Sequence, residues 1–309
     1  LDRHTPLPLL RPASARAMDR RRGDGIAAPA RAVGHIAGQR PPARAYHRSV
    51  FLAIDIGNSA AKAATVEGDV LHQSGRLDTS EASGEDLLDG LRVLAGAHET
   101  SPEGIICVSV VPRWTERLER AAEELELPLT VVSASHVPIS TSLVRPDQTG
   151  PDRLLAAWAA SRLHGSPIIV VDLGTATTVD AVDVDGFFQG GAILPGLGLS
   201  ADALADGTAR LPRIELELPA DAIGTDTTAA IASGVVIGHI GAVRELAMRM
   251  HEHFGSDPRV PTKVIITGGF SAASWAGAAW CTPAAPSLPP IADELDPDLV
   301  LRGLGLRGR

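Results

Sequence analysis

Two cysteines in 309 residues, Cys107 and Cys281, are too few for a disulfide framework or a cysteine-rich zinc site. Cys107 lies in an apolar run, where a thiol behaves as a small hydrophobe. Such sparse usage fits a reducing compartment and leads us to expect a cytoplasmic protein. Lysine is equally scarce, with Lys62 and Lys263 the only two, and Tyr46 is the single tyrosine. No uncharged apolar run approaches the ~20 residues of a membrane span, so no membrane partner is expected. Net positive charge is confined to one end. Residues 1–48 hold ten Arg against three Asp, a net of +7; because the whole chain is −9, the remainder carries −16. An acidic body offers nucleic acid no broad footprint. It still admits an anionic small molecule, held by local N–H groups and a few arginines.

Residues 1–48 are rich in Pro, Arg and Ala and show no sustained period of two or of 3.6. The expectation is a disordered basic extension without an assigned function, explained by a start placed too far upstream. Met18 or Val50 would then be the first residue of the working protein.

The body holds one design twice. Residues 51–59 read FLAIDIGNS and residues 168–178 read IIVVDLGTATT. Each is an aliphatic strand ending in Asp-x-Gly and then a small hydroxyl or amide residue. A strand buried on both faces can end at a carboxylate only where that end opens to water or metal. The glycine permits a tight turn that brings N–H groups near a ligand. After the first motif, strands are expected at 60–65, 69–73, 104–111 and 129–133, with helices at 84–97, 113–125 and 151–164. After the second, strands are expected at 177–183, 186–194 and 263–267. Helices are expected at 197–211, at 227–254 with a break near Gly238, and at 296–304. A strand, a hairpin and alternating helix and strand, performed twice, predict an α/β chain of two tandem domains, 49–165 and 166–309, with a cleft between them.

The candidate chemistry follows the motifs. Asp55, Gly57, Asn58, Ser59 and Lys62 form a turn able to hold phosphate and a magnesium-linked carboxylate, although alone it equally reads as a capped strand end. Asp172 with Gly174, Thr175, Thr177 and Thr178 repeats the arrangement, and the repetition points to a nucleotide cleft. Gly268 and Gly269 follow the strand VIIT, where backbone can lie against a flat ligand or simply turn. Gly150-Pro151-Asp152-Arg153 opens a helix. Its Asp can accept a proton from a hydroxyl and its Arg can hold a carboxylate, or the pair can merely cap the helix. His239, His251 and His253 read as structural. Neither the Rossmann fingerprint nor GxxxxGK[ST] is present.

Ten stretches, in order, resemble the type III pantothenate kinases of the ASKHA superfamily, which includes actin, sugar kinases and the large heat-shock chaperones. They are DIGNSAAK (55–62), SVVP (109–112), GPDR (150–153), DLGTATT (172–178), GGAILPG (190–196), LPRIEL (211–216), GTDT (224–227), SGVVIG (233–238), TGG (267–269) and DPDLVLRGL (296–304). The resemblance implies ribonuclease H-like, actin-like ATPase domains. It also implies transfer of the ATP γ-phosphoryl group to pantothenate, giving 4′-phosphopantothenate, the first step toward coenzyme A. By position, Asp152 matches the catalytic base and Gly150–Arg153 the substrate segment. Asp172 matches the residue associated with a monovalent cation, K⁺ or NH₄⁺, and Thr175 an ATP contact. Thr227 matches a pantothenate contact supplied across a homodimer. Mg²⁺ would accompany ATP near Asp55, largely through water. One position departs from the family: where it commonly has a tyrosine beside pantothenate, this chain has Leu143. Three alternatives share these residues: another small-molecule kinase of the superfamily, a catalytically silent relative linked to transcription, and an ATP-driven conformational protein such as actin or a chaperone, which the short chain and its GPDR segment disfavour.

Overall fold

The computed structural model describes residues 49–254, 261–283 and 289–308, so the expectation for 1–48 lies outside the described residues. Among the described residues, ten strands form two five-stranded sheets of identical plan. In the first, β1 (Val50–Ile56) pairs antiparallel with β2 (Ala60–Glu67), which pairs with β3 (Val70–Asp78). On its other side β1 runs parallel to β4 (Gly104–Ser109), and β4 to β5 (Leu129–Val131). In the second, β6 (Ile168–Leu173) takes the place of β1. Beside it lie β7 (Ala176–Val182), β8 (Phe188–Pro195), β9 (Lys263–Thr267) and the two-residue β10 (Glu294–Leu295). The orders β3-β2-β1-β4-β5 and β10-β9-β6-β7-β8 are the same order written from opposite ends, so the halves are two ribonuclease H-like units.

Period-two alternation sorts each central strand between two cores. Leu52, Ile54 and Ile56 face an outer core with α1 (Gly84–Gly96) and α2 (Pro112–Glu124). Ile169, Val171 and Leu173 face the matching outer core of the second half, with α6 (Gly238–Phe254) and α7 (Ala276–Trp280). Ala53, Ala64, Val66, Val170, Val182 and Phe188 face inward, into one core shared by both sheets. Two helices fill that core: α3 (Pro151–His164) and α8 (Leu299–Arg307). Pro151 stands in the first turn of α3, where its missing N–H costs nothing. Leu154–Ala157, Ala159 and Ala160 are buried nearly all round that helix, and Ala159 lies close against Gly303 of α8. The helices are exchanged between halves: α3 packs on β6 and β7, and α8 on β1 and β2. The halves therefore share a core, and their relation is fixed by burial as well as by the chain connection.

Several expectations move by a few residues. β3 continues to Asp78 instead of stopping at 73. α4 (Leu197–Gly207) ends four residues early, and α8 begins at Leu299 instead of 296. The long helix is continuous: α5 (Thr227–Ala232) passes through a π-helical segment, Ser233–Ile237, into α6. By length and composition alone Thr227–Phe254 could cross a membrane, with an 18-residue window of mean hydropathy 1.3. It serves instead as a packing helix, burying Ile231, Val235, Val236, Val243 and Ala247 against the second half.

Candidate active site

The alternation that buries Ala53 and Val170 between the sheets carries Asp55 and Asp172, two residues on, to the same inner faces. Both stand at the carboxyl ends of their strands, the edge where open α/β sheets bind ligands. The two turns touch: Ser59 Oγ lies 2.6 Å from Thr175 Oγ1, across 116 positions of sequence. The repeated motifs of the two halves therefore meet at one place.

Its electrostatics are set by buried, mutually repelling carboxylates. Burial pushes the Asp55 carboxyl up to about 7, with the negative charges of Asp172 and Asp152 adding to the rise and Lys62 opposing it. Burial likewise raises Asp172 to about 6, again against Lys62 and with Asp152 and Asp180. Three acidic groups thus feel one another with one lysine as the nearby countercharge. Lys62 pairs opposite Asp55 in the β1–β2 ladder, and its Nζ donates to Pro297 O at 2.7 Å. That bond commits one of the three N–H groups the ammonium carries. Hard carboxylate oxygens in mutual repulsion suit Mg²⁺ and alkali cations, so the donor set fits the groups the family resemblance implies.

The glycines serve closeness more than unusual backbone angles. Gly57 and Gly174 are not among the residues with positive φ; Gly57 N closes its turn on Ala60 O at 2.9 Å. Gly268 has φ +90, and a Cβ there would meet Asp172 Oδ1 at 2.3 Å, so the turn after β9 lies against the second carboxylate. Gly150 leaves room for Asp152, whose Oδ1 would crowd a Cβ at 150. That oxygen accepts from Arg153 N at 2.9 Å, which fixes the carboxylate over the helix N-terminus.

The structure narrows the expected role of Arg153. Its Nη2 and Nε donate to the two oxygens of Asp180 at 2.5 and 3.1 Å, a bidentate fork, and Thr178 Oγ1 donates to the same carboxylate at 3.0 Å. Burial raises the Asp180 carboxyl while the Arg153 bonds lower it. Sequence reasoning missed Asp180. The available signal was a single acid inside the apolar strand β7, which is costly unless paired. Thr227 is exposed at the start of α5; among the described residues no hydrogen bond joins it to the carboxylates. Asn58 is exposed, and its carbonyl accepts from Thr79 Oγ1 at 2.8 Å. His239 is polar core, bonded through Nε2 to Thr177 Oγ1 at 3.0 Å. Leu143 packs against the shared core beside Gly190. Glu67, His72 and His98 gather their ligand atoms within 4.8 Å, but Glu67 pairs with Val50, at the opposite edge of the sheet from Asp55.

Twin ribonuclease H-like halves with acidic turns facing across a cleft define the actin-like ATPase class of phosphotransferase. The profile of the type III pantothenate kinase family matches residues 51–249, and the chain belongs to that family. It is 37% identical over 263 residues to the type III pantothenate kinase of Rubrobacter xylanophilus, covering 82% of this chain and 96% of the relative. It is 36% identical over 262 residues to that of Paramagnetospirillum magneticum, covering 82% and 95%. Among solved structures, a conserved Baf family transcriptional activator from Campylobacter jejuni aligns with TM-score 0.52 at 20% identity, over 83% of this chain and 96% of that one. At that identity the likeness is one of fold.

Proposed function

We propose that this chain, 49–165 and 166–309 forming its two halves, performs its family's reaction, the ATP-dependent phosphorylation of pantothenate to 4′-phosphopantothenate, at the carboxylate cleft. The observation that carries the reading is the convergence of Asp55, Asp152 and Asp172 where Ser59 meets Thr175. The polyphosphate would lie between the two turns, contacted by Gly57, Asn58, Ser59, Lys62 and Thr175, with Gly268 and Gly269 beneath the nucleoside. Asp55 would hold Mg²⁺ through water and Asp172 a monovalent cation, K⁺ or NH₄⁺; these supply the positive charge that balances ATP and the transferring group.

Asp152 then orients the primary hydroxyl of pantothenate and takes its proton as the oxygen bonds to Pγ and the bond from Pγ to the bridging oxygen of ADP breaks. Gly150 and Pro151 shape the approach. Arg153, with Nε and Nη2 held by Asp180, presents Nη1 to the substrate carboxylate. Catalysis here is mostly positioning and charge stabilisation. A homodimer would bring Thr227 of one chain to the pantothenate of the other, and the enzyme would act in the cytoplasm.

The test is ADP release with and without pantothenate, in K⁺ and in Na⁺ buffer, for the parent and Asp152→Asn. The parent should need pantothenate and work best in K⁺. The variant should lose on the order of 10²–10⁴ in kcat while keeping its fold. Near-normal kcat in a folded Asp152→Asn protein refutes the assignment.

A further inference from the structure

Strand register places one more cation in a row with Asp55 and Lys62. Asp55 pairs opposite Lys62, and Lys62 pairs opposite Arg76 on β3. Directly paired residues on neighbouring strands project from the same face. Asp55, Lys62 and Arg76 thus form a row across the first sheet, on the face turned toward the second half. Arg76 reaches that half: a Cβ on Gly269 would lie 3.5 Å from its Nη1 and 3.9 Å from its Nη2. Gly269 adjoins Gly268, the turn held against Asp172. The guanidinium is exposed and, among the described residues, makes no ion pair within 4 Å. The carboxylate two residues away, Asp78, is bonded through Oδ1 to Ser80 N and Oγ at 2.8 and 2.6 Å, and its pKa is lowered first by those bonds and then by the charge of Arg76.

A cleft with three carboxylates must accept a highly anionic nucleoside triphosphate, and Lys62 is partly spent on Pro297. A second cation in the row, standing opposite the glycine turn, answers that need. A guanidinium is the better choice for it, because its planar fork matches two phosphate oxygens at once. We propose that Arg76 is a ligand of the ATP polyphosphate, closing on it from the first half while its nitrogens face the Gly269 turn of the second. It would tie the two halves together through the nucleotide. The proposal rests on the reading of the cleft as the ATP site.

The experiment measures equilibrium binding of a non-hydrolysable ATP analogue and of adenosine to the full chain and to its Arg76→Ala and Arg76→Lys variants. Steady-state kinetics are run on the same proteins. Arg76→Ala should weaken the analogue about 10- to 100-fold, the loss of a charge-assisted phosphate contact. Adenosine affinity and the KM for pantothenate should stay within twofold, and Arg76→Lys should recover part of the loss. Unchanged analogue affinity in Arg76→Ala overturns the proposal and leaves the cleft reading intact. Equal losses for analogue and adenosine overturn it in favour of a structural role. A parent protein that does not bind the analogue at all brings down the cleft reading itself.

Discussion

Replacing Asp55 with asparagine should stabilise the ligand-free protein at high pH while abolishing its activity. The carboxyl has a pKa of about 7 when folded, against an ordinary value of 3.8. A carboxyl whose pKa is higher folded than unfolded binds its proton more tightly in the native state. The stability that proton confers is fully present below about pH 4 and is lost as pH rises through about 7. A rise of about three units corresponds to at most about 4 kcal/mol at pH 8. Asp55 is only half-buried, and part of the rise belongs to its neighbours Asp172 and Asp152, so roughly 2 kcal/mol is the working expectation. Asparagine keeps the shape and removes the charge. The assay is urea unfolding at pH 5 and pH 8, with EDTA and a choline salt in place of metal cations. Tryptophan fluorescence can follow it, because Trp114 and Trp280 are fully buried, one in the outer core of each half. The variant midpoint should rise by about 1 M urea at pH 8 with an unchanged slope, and the gain should shrink at pH 5. An Asn variant no more stable than the parent at pH 8, or a gain independent of pH, refutes the account of a repelled, desolvated carboxylate.

The duplicated motif was readable because it states a conflict in sequence: an aliphatic run with no reason to end in a carboxylate except an opening at that edge. Asp55 and Asp172 followed, and period two then placed both on the inner faces. What escaped depends on pairing between distant segments. Asp180 is one acid in β7, and its meaning lies in Arg153, 27 positions away, a separation no periodicity encodes. The segment Ser74-Gly75-Arg76 reads as the end of a strand by propensity. Pairing with Lys62, Ala63 and Ala64 of β2 overrides that preference, so Arg76 went unnoticed. β10 is two residues long and exists only as a partner of β9. The break expected near Gly238 is absorbed instead by the π-helical segment, which keeps the hydrogen-bonded helix unbroken.

Substitutions at three further positions separate the parts of the site. Gly268→Ala puts a Cβ on a φ of +90 and 2.3 Å from Asp172 Oδ1, so it should destabilise the fold by about 1–3 kcal/mol and lower activity; near-parental values for both would remove the close approach from the argument. Leu143→Tyr restores the phenol common in the family beside Gly190 and should lower the KM for pantothenate while leaving the KM for ATP alone; an unchanged or higher pantothenate KM would place Leu143 outside the substrate wall. Asp180→Asn keeps one acceptor for Arg153 but removes its countercharge in a buried setting, which should cost about 3–5 kcal/mol as one partner of a buried pair is lost. If Asp180 acts by aiming Arg153, Asp180→Glu should recover stability before it recovers the KM for pantothenate, because the longer side chain restores charge but displaces the guanidinium; recovery of both together would make the pair purely structural.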